Sequence, residues 1–125
     1  MTKKILIADD DPMNVELLTY FLEANDFEVE AATDGNAAIG MGTSGNYDLV
    51  LLDVHMPSYD GIEVLHLLRK RFLKHPVKVI ALTADLSDTV RAALQSAGID
   101  SCLAKPVDLN QLRAEIDRLL TGTLS

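Results

Sequence analysis

Four places in this chain gather side chains that can do chemistry together. Asp9, Asp10 and Asp11 form an acidic run after Ile5-Leu6-Ile7-Ala8. Asp53 closes the apolar run Leu49-Val50-Leu51-Leu52, Thr83 closes the run 77–82, and Lys105 follows Ser101-Cys102-Leu103-Ala104 and precedes Pro106. If the first and third runs are neighbouring strands, Asp9, Asp10 and Asp53 meet. Carboxylates crowded in this way repel, so one of them takes a proton or a cation joins them. Oxygen-only ligation suits Mg²⁺, with Mn²⁺ as an alternative, and the lack of a nearby His/Cys cluster argues against zinc. A carboxylate held beside such a cation can attack phosphorus and form an acyl phosphate. The cation, an ammonium and a hydroxyl then stabilise the charge on the transferred group. Asp53, Mg²⁺, Lys105 and Thr83 supply that set.

The elements that must position these residues follow from periodicity. Short apolar runs at Ile5–Ala8, Phe27–Ala31, Leu49–Leu52, Val77–Leu82 and Ser101–Ala104 predict five strands. The first, third and fourth are almost continuously apolar, as in parallel strands covered on both faces, whereas the second alternates like an edge strand. Helical spacing lies between them. Asp11-Pro12 is an N-cap followed by Pro at the first helical position, before Val15, Leu18 and Leu22. Ile62, Leu65, Leu68 and Phe72 predict a third helix. Val90, Ala93, Leu94 and Ala97 predict a fourth, capped by Ser87 or Asp88 and stopped by Gly98. In the last helix Asp108 is the expected N-cap, with Gln111 in capping-box position, Val107 and Leu112 spaced as a hydrophobic staple, and Leu109, Leu112, Ile116 and Leu119 as the buried stripe. The second helix, about 35–43, is the weak one, expected to be short or mobile. Gly40 and Gly42 each cost about 1 kcal/mol relative to Ala there. This alternation predicts an α/β fold with a parallel sheet, right-handed crossovers and helices on both faces. In such sheets ligands bind beyond the carboxyl ends of the strands, where the four chemical groups fall.

Bulk properties narrow the function. With 125 residues the chain is expected to be one domain, core about 4–120, with 121–125 as a polar tail. A formal net charge of −8 disfavours nucleic acid and anionic lipid as partners and leaves other proteins. One cysteine, Cys102, allows no internal disulfide. No apolar stretch has spanning length and no secretory signal is visible, so the expected location is cytoplasmic.

Ile7-Ala8-Asp9-Asp10-Asp11, Leu51-Leu52-Asp53-Val54-His55-Met56-Pro57 with Asp60-Gly61, Leu82-Thr83-Ala84, and Ala104-Lys105-Pro106 together resemble the receiver domain of two-component response regulators. The resemblance covers about residues 4–120. It implies a flavodoxin-like doubly wound (βα)₅ sandwich with strand order 2-1-3-4-5. It also implies roles. Asp53 matches the phosphoacceptor, Asp10 the direct Mg²⁺ ligand, and Asp9 an acid acting mainly through water. The His55 backbone carbonyl matches the third protein ligand, Thr83 the hydroxyl that turns to the phosphoryl group, and Lys105 the lysine that pairs with it. Pro106 implies a cis Lys-Pro bond. His55 and Asp85 would border the phosphoryl group and tune its hydrolysis. The implied donor is a phosphohistidine on a sensor histidine kinase or phosphotransfer protein. The implied output is a protein contact on the helix 4–strand 5–helix 5 face, by a monomer or weak dimer. One departure stands out: many receivers carry an aromatic residue three before the lysine, and here it is Cys102, read as a small buried hydrophobe.

Blander readings exist for each residue. A run of acids in a loop is ordinarily a solvated turn, and Asp11 fits that as a cap. Thr83 could be an ordinary strand residue and Lys105 a surface lysine, while His66 and His75 read as surface residues. What sets Asp9, Asp10, Thr83 and Lys105 apart is their convergence with Asp53. A phosphatase of the haloacid dehalogenase type also uses a strand-end aspartate with Mg²⁺, but it needs a second Asp two residues on, where this chain has His55. A phosphate-independent pseudo-receiver predicts a broken acid set. A flavodoxin needs a Ser/Thr-rich loop after the first strand. The expectation is therefore a phosphoryl-accepting switch, not a turnover enzyme.

Overall fold

The computed structural model describes residues 2–44, 46–55, 63–67 and 77–121. The strands are β1 (Lys4–Ala8), β2 (Glu28–Ala32), β3 (Leu49–Asp53), β4 (Lys78–Thr83) and β5 (Ser101–Ala104). The helices are α1 (Pro12–Ala24), α2 (Gly35–Ser44), α3 (63–67), α4 (Asp88–Ser96) and α5 (Leu109–Thr121). All strand pairs are parallel, in the order β2-β1-β3-β4-β5. This is the predicted flavodoxin-like order. β2 and β4 each begin and end one residue later than the apolar pattern suggested, and β2 lies at one edge of the sheet.

The period of two along the strands sorts the core into two layers. Ile5, Ile7, Leu49, Leu51, Ile80 and Leu82 face one side, where they pack with Leu18 and Leu22 of α1 and Leu112 and Ile116 of α5. Leu6, Ala8, Val50, Leu52 and Val79 face the other, against Ala38 of α2 and Val64 and Leu65 of α3. Leu94 of α4 packs there with Val54 and Ala81. β1 and β3 are thus covered on both faces, which is why their sequences do not alternate. Truncating one of these side chains, such as Leu51→Ala, costs about 2–5 kcal/mol.

Local signals set where the elements start and stop. Asp11 Oδ1 accepts from Met13 N–H at 3.0 Å with Pro12 in the first helical turn, as expected. Ser87, not Asp88, caps α4. Asp108 Oδ1 caps α5 by accepting from Asn110 and Gln111 N–H. α1 and α4 leave by the same device. Phe27 N–H reaches Leu22 O and Asp26 N–H reaches Glu23 O, while Ile99 N–H reaches Leu94 O and Gly98 N–H reaches Gln95 O. Such closures need a left-handed residue just past the helix, supplied by Asp26 at φ 69° and Gly98 at φ 89°. α2 runs for ten residues through both glycines, so it is not truncated. Asp34 Oδ1 starts it by accepting from Ala37 N–H. His66 is exposed, as anticipated. Ile62, Leu68 and Phe72 of the expected third helix, His75, the motif residues Met56, Pro57, Asp60 and Gly61, and the tail 122–125 lie outside the described residues.

Candidate functional site

The register of the sheet builds the site. β1 and β3 pair up to Ala8↔Leu52, so Asp9 and Asp53 are the next residues on adjacent strands. Asp53 itself pairs with Leu82, one residue before Thr83. Thr83 pairs with Ala104, one residue before Lys105, whose N–H donates to Thr83 O at 2.9 Å. All four strand ends therefore deliver their polar residue to one edge of the sheet. The Lys105-Pro106 bond is cis, as the family resemblance implied.

Asp9 is fully buried, and its carboxylate is held on both oxygens. Oδ1 accepts from Asp11 N–H at 2.9 Å. Oδ2 accepts from Asn14 Nδ2 at 2.5 Å and lies 3.2 Å from Lys105 Nζ. Asp53 is 4% exposed. Its Oδ1 accepts from His55 N–H at 3.1 Å, and its Oδ2 lies 3.2 Å from the same Lys105 Nζ. Asp10 is exposed at the rim. Asp9, Asp10 and Asp53 each offer a carboxylate oxygen, and these oxygens lie within 4.8 Å of one another.

Burial pushes the Asp53 pKa up, an effect that the His55 N–H and Lys105 oppose and the Asp9 charge reinforces. Burial alone would lower the pKa of Lys105, but the Asp53 and Asp9 carboxylates outweigh it and hold the ammonium above its ordinary value. Three ionised carboxylates and one lysine leave two negative charges, which a divalent cation would balance. An all-oxygen donor set of this kind suits a hard cation.

Thr83 is fully buried, and its hydroxyl is occupied. Oγ1 accepts from Asp85 N–H at 3.0 Å and donates to Asp85 O at 3.2 Å. Asp85 is held below the ordinary carboxylate range by the Ser87 N–H and hydroxyl, against a smaller opposing effect of burial. Cys102 is half-buried rather than buried, and its thiol pKa is raised by burial. It lines a groove of about 480 Å³ between α4 and α5 with Leu86, Arg91, Ala104, Gln111 and Ala114. The sequence pattern missed one participant. Asn14 lies in the first turn of α1, and its amide reaches back to Asp9, five residues earlier and just past the end of β1.

The family described as the response regulator receiver domain matches residues 5–117. The chain belongs to that family. Among curated relatives, this receiver is 36% identical over 117 residues to the transcriptional regulatory protein ResD of Bacillus subtilis, covering 94% of this chain and 48% of that protein. It is 40% identical over 122 residues to a CpxR homologue of Haemophilus influenzae, covering 98% of this chain and 52% of that protein. The chain thus spans about half the length of these relatives. Among solved structures, a CheY-like receiver domain protein from Methanospirillum hungatei superposes with a TM-score of 0.91 at 29% identity, covering 98% of this chain and 96% of that one. The receiver domain of a Pseudomonas aeruginosa sensor histidine kinase, with a magnesium ion coordinated in its active site cleft, superposes at 0.88 with 27% identity, covering 97% of this chain and 99% of that one. No helix among the described residues is long and apolar enough to cross a membrane.

Proposed function

We propose that this receiver is a Mg²⁺-dependent phosphoryl acceptor that takes its phosphoryl group on Asp53 from a phosphohistidine donor. The observation that carries the reading is the Asp53 carboxylate, nearly buried at a strand end, with Lys105 Nζ 3.2 Å from Oδ2 and two further acids beside it. The Asp53 carboxylate attacks phosphorus, an O–P bond forms, and the donor's N–P bond breaks. The donor imidazole leaves with the electron pair and takes up a proton.

Asp10, Asp53 and the His55 backbone carbonyl would hold the cation, with Asp9 acting through water because its own oxygens are already engaged. Bound there, Mg²⁺ supplies charge neutralisation for the incoming phosphoryl oxygens. Lys105 supplies the second positive charge, and Thr83 gives up its Asp85 backbone partners to donate to the phosphoryl group. The His55 and Asp85 side chains border it and tune its hydrolysis.

The chain acts as one cytoplasmic receiver unit and a signalling switch, as a monomer or weak dimer. The donor is a sensor histidine kinase or a phosphotransfer protein. It must approach the rim where α1 begins, and α1 presents exposed Met13, Leu17 and Tyr20 at spacings of four and three, one apolar face beside the acids. The output partner docks on α4, β5 and α5, where Cys102 links the groove to the strand that ends one residue before Lys105.

Incubation with acetyl phosphate, with and without Mg²⁺, tests the reading. Wild type should gain one phosphoryl group by mass only with the metal, and Asp53→Asn should gain none. Equal modification of the variant would overturn it.

A further inference from the structure

We infer that Asn14 is a positioning residue that frees Lys105 to move from Asp9 to the charge added on Asp53; this rests on the phosphoryl-acceptor reading above. The geometry is specific. Lys105 Nζ stands 3.2 Å from Asp9 Oδ2 and 3.2 Å from Asp53 Oδ2, shared between the two acids. Asn14 Nδ2 donates to the same Asp9 oxygen at 2.5 Å. A phosphoryl group on Asp53 carries more negative charge, and further out, than the carboxylate it replaces. Lys105 is drawn to it and leaves Asp9.

Without a substitute, that departure strands a fully buried carboxylate oxygen, which is heavily penalised. Asn14 is the substitute already in place. It is neutral and a donor, so it satisfies Asp9 without holding Lys105 by charge or repelling it. Its helical position makes the choice informative. Asp11 is the N-cap, so Asn14 is the third helical residue, where a capping box would place the longer Glu or Gln. The first turn of α1 has no acid. An Asp or Glu there would set a fourth negative charge against Asp9.

Beryllofluoride, a phosphoryl mimic, tests this by ¹⁹F NMR titration at saturating Mg²⁺. The proteins are wild type, Asn14→Ala, the isosteric Asn14→Asp, Lys105→Met and the double variant Asn14→Ala/Lys105→Met. Asn14→Ala should weaken beryllofluoride about tenfold and Asn14→Asp at least as much. In the Lys105→Met background Asn14→Ala should change affinity less than twofold, because no lysine remains to be released. A general packing defect would weaken both backgrounds equally, and that result overturns the inference. So does wild-type affinity in both single Asn14 variants. Failure of wild type itself to bind beryllofluoride with Mg²⁺ overturns the phosphoryl-acceptor reading, and the inference with it. Thermal unfolding of each variant shows that the folded protein is being titrated.

Discussion

Replacing Lys105 by Met removes one charge and keeps most of the side-chain volume. The structure says what should follow. At 3.2 Å and an effective dielectric of about 20, each lysine–carboxylate pair is worth about 5 kcal/mol before desolvation. Desolvating the buried ions costs several kcal/mol each, and the 24% exposure of the Lys105 side chain screens it further. The net loss at neutral pH should be about 2 kcal/mol, enough to lower the midpoint of a urea titration visibly. Much of that loss is repulsion between Asp9 and Asp53, so protonating Asp53 should relieve it. The Asp53 pKa is raised in the folded state, and removing the lysine raises it further. A group of that kind favours folding most below its unfolded pKa, and that support fades as pH rises through the folded pKa. The variant's deficit should therefore be small near pH 4 and full at pH 7.5. Mg²⁺ should do what the proton does. With the competing ammonium gone, the three acids should bind it about tenfold more tightly, a gain of about 1.4 kcal/mol. Urea unfolding at the two pH values and calorimetric Mg²⁺ titration make the test. A deficit independent of pH, or Mg²⁺ affinity unchanged or weaker, would refute the idea that lysine and metal compete for the same oxygens.

Asp53→Asn should stabilise the fold by about 1 kcal/mol at pH 7, since burial opposes the Asp53 charge, and the gain should vanish in acid; thermal unfolding against pH measures both. Gly40→Ala should stabilise by about 0.5–1 kcal/mol, because Gly40 is inside α2 and an added Cβ would meet nothing within 4 Å. Urea titration reads this, and a loss of stability would mean that the glycine serves a purpose beyond helix formation. Met13→Glu and Tyr20→Glu should each slow phosphoryl transfer from a protein phosphohistidine donor about tenfold and leave acetyl phosphate labelling unchanged. Slowing of both would place the effect in the site rather than in docking.

Most of the fold was legible because its signals are local. Apolar runs marked strands within a residue, with β2 and the buried β4 each starting and ending one residue late. Asp11-Pro12, Asp108 and Gly98 marked helix ends through hydrogen bonds that close within a few residues. The exit of α1 was less legible, since Asp26 takes the left-handed conformation that usually advertises itself as glycine. The weakness expected of α2 did not shorten it, because Ala38 is buried against β-sheet residues and packing compensates for poor intrinsic propensity.

The sequence by itself determined which residues could meet: acids after β1 and β3, a hydroxyl after β4 and a lysine after β5, each fixed by where an apolar run ends. Tertiary structure decided how they meet. Parallel register brings Asp9 and Asp53, 44 residues apart in the chain, onto one lysine nitrogen. It also brings Asn14 to the oxygen that Lys105 touches and leaves Cys102 half-buried at a groove between α4 and α5. Spacing along a chain encodes period and cap, which are properties of a few adjacent dihedrals. It does not encode which oxygen of a buried carboxylate a distant donor reaches, because that depends on the register and packing of every element between them.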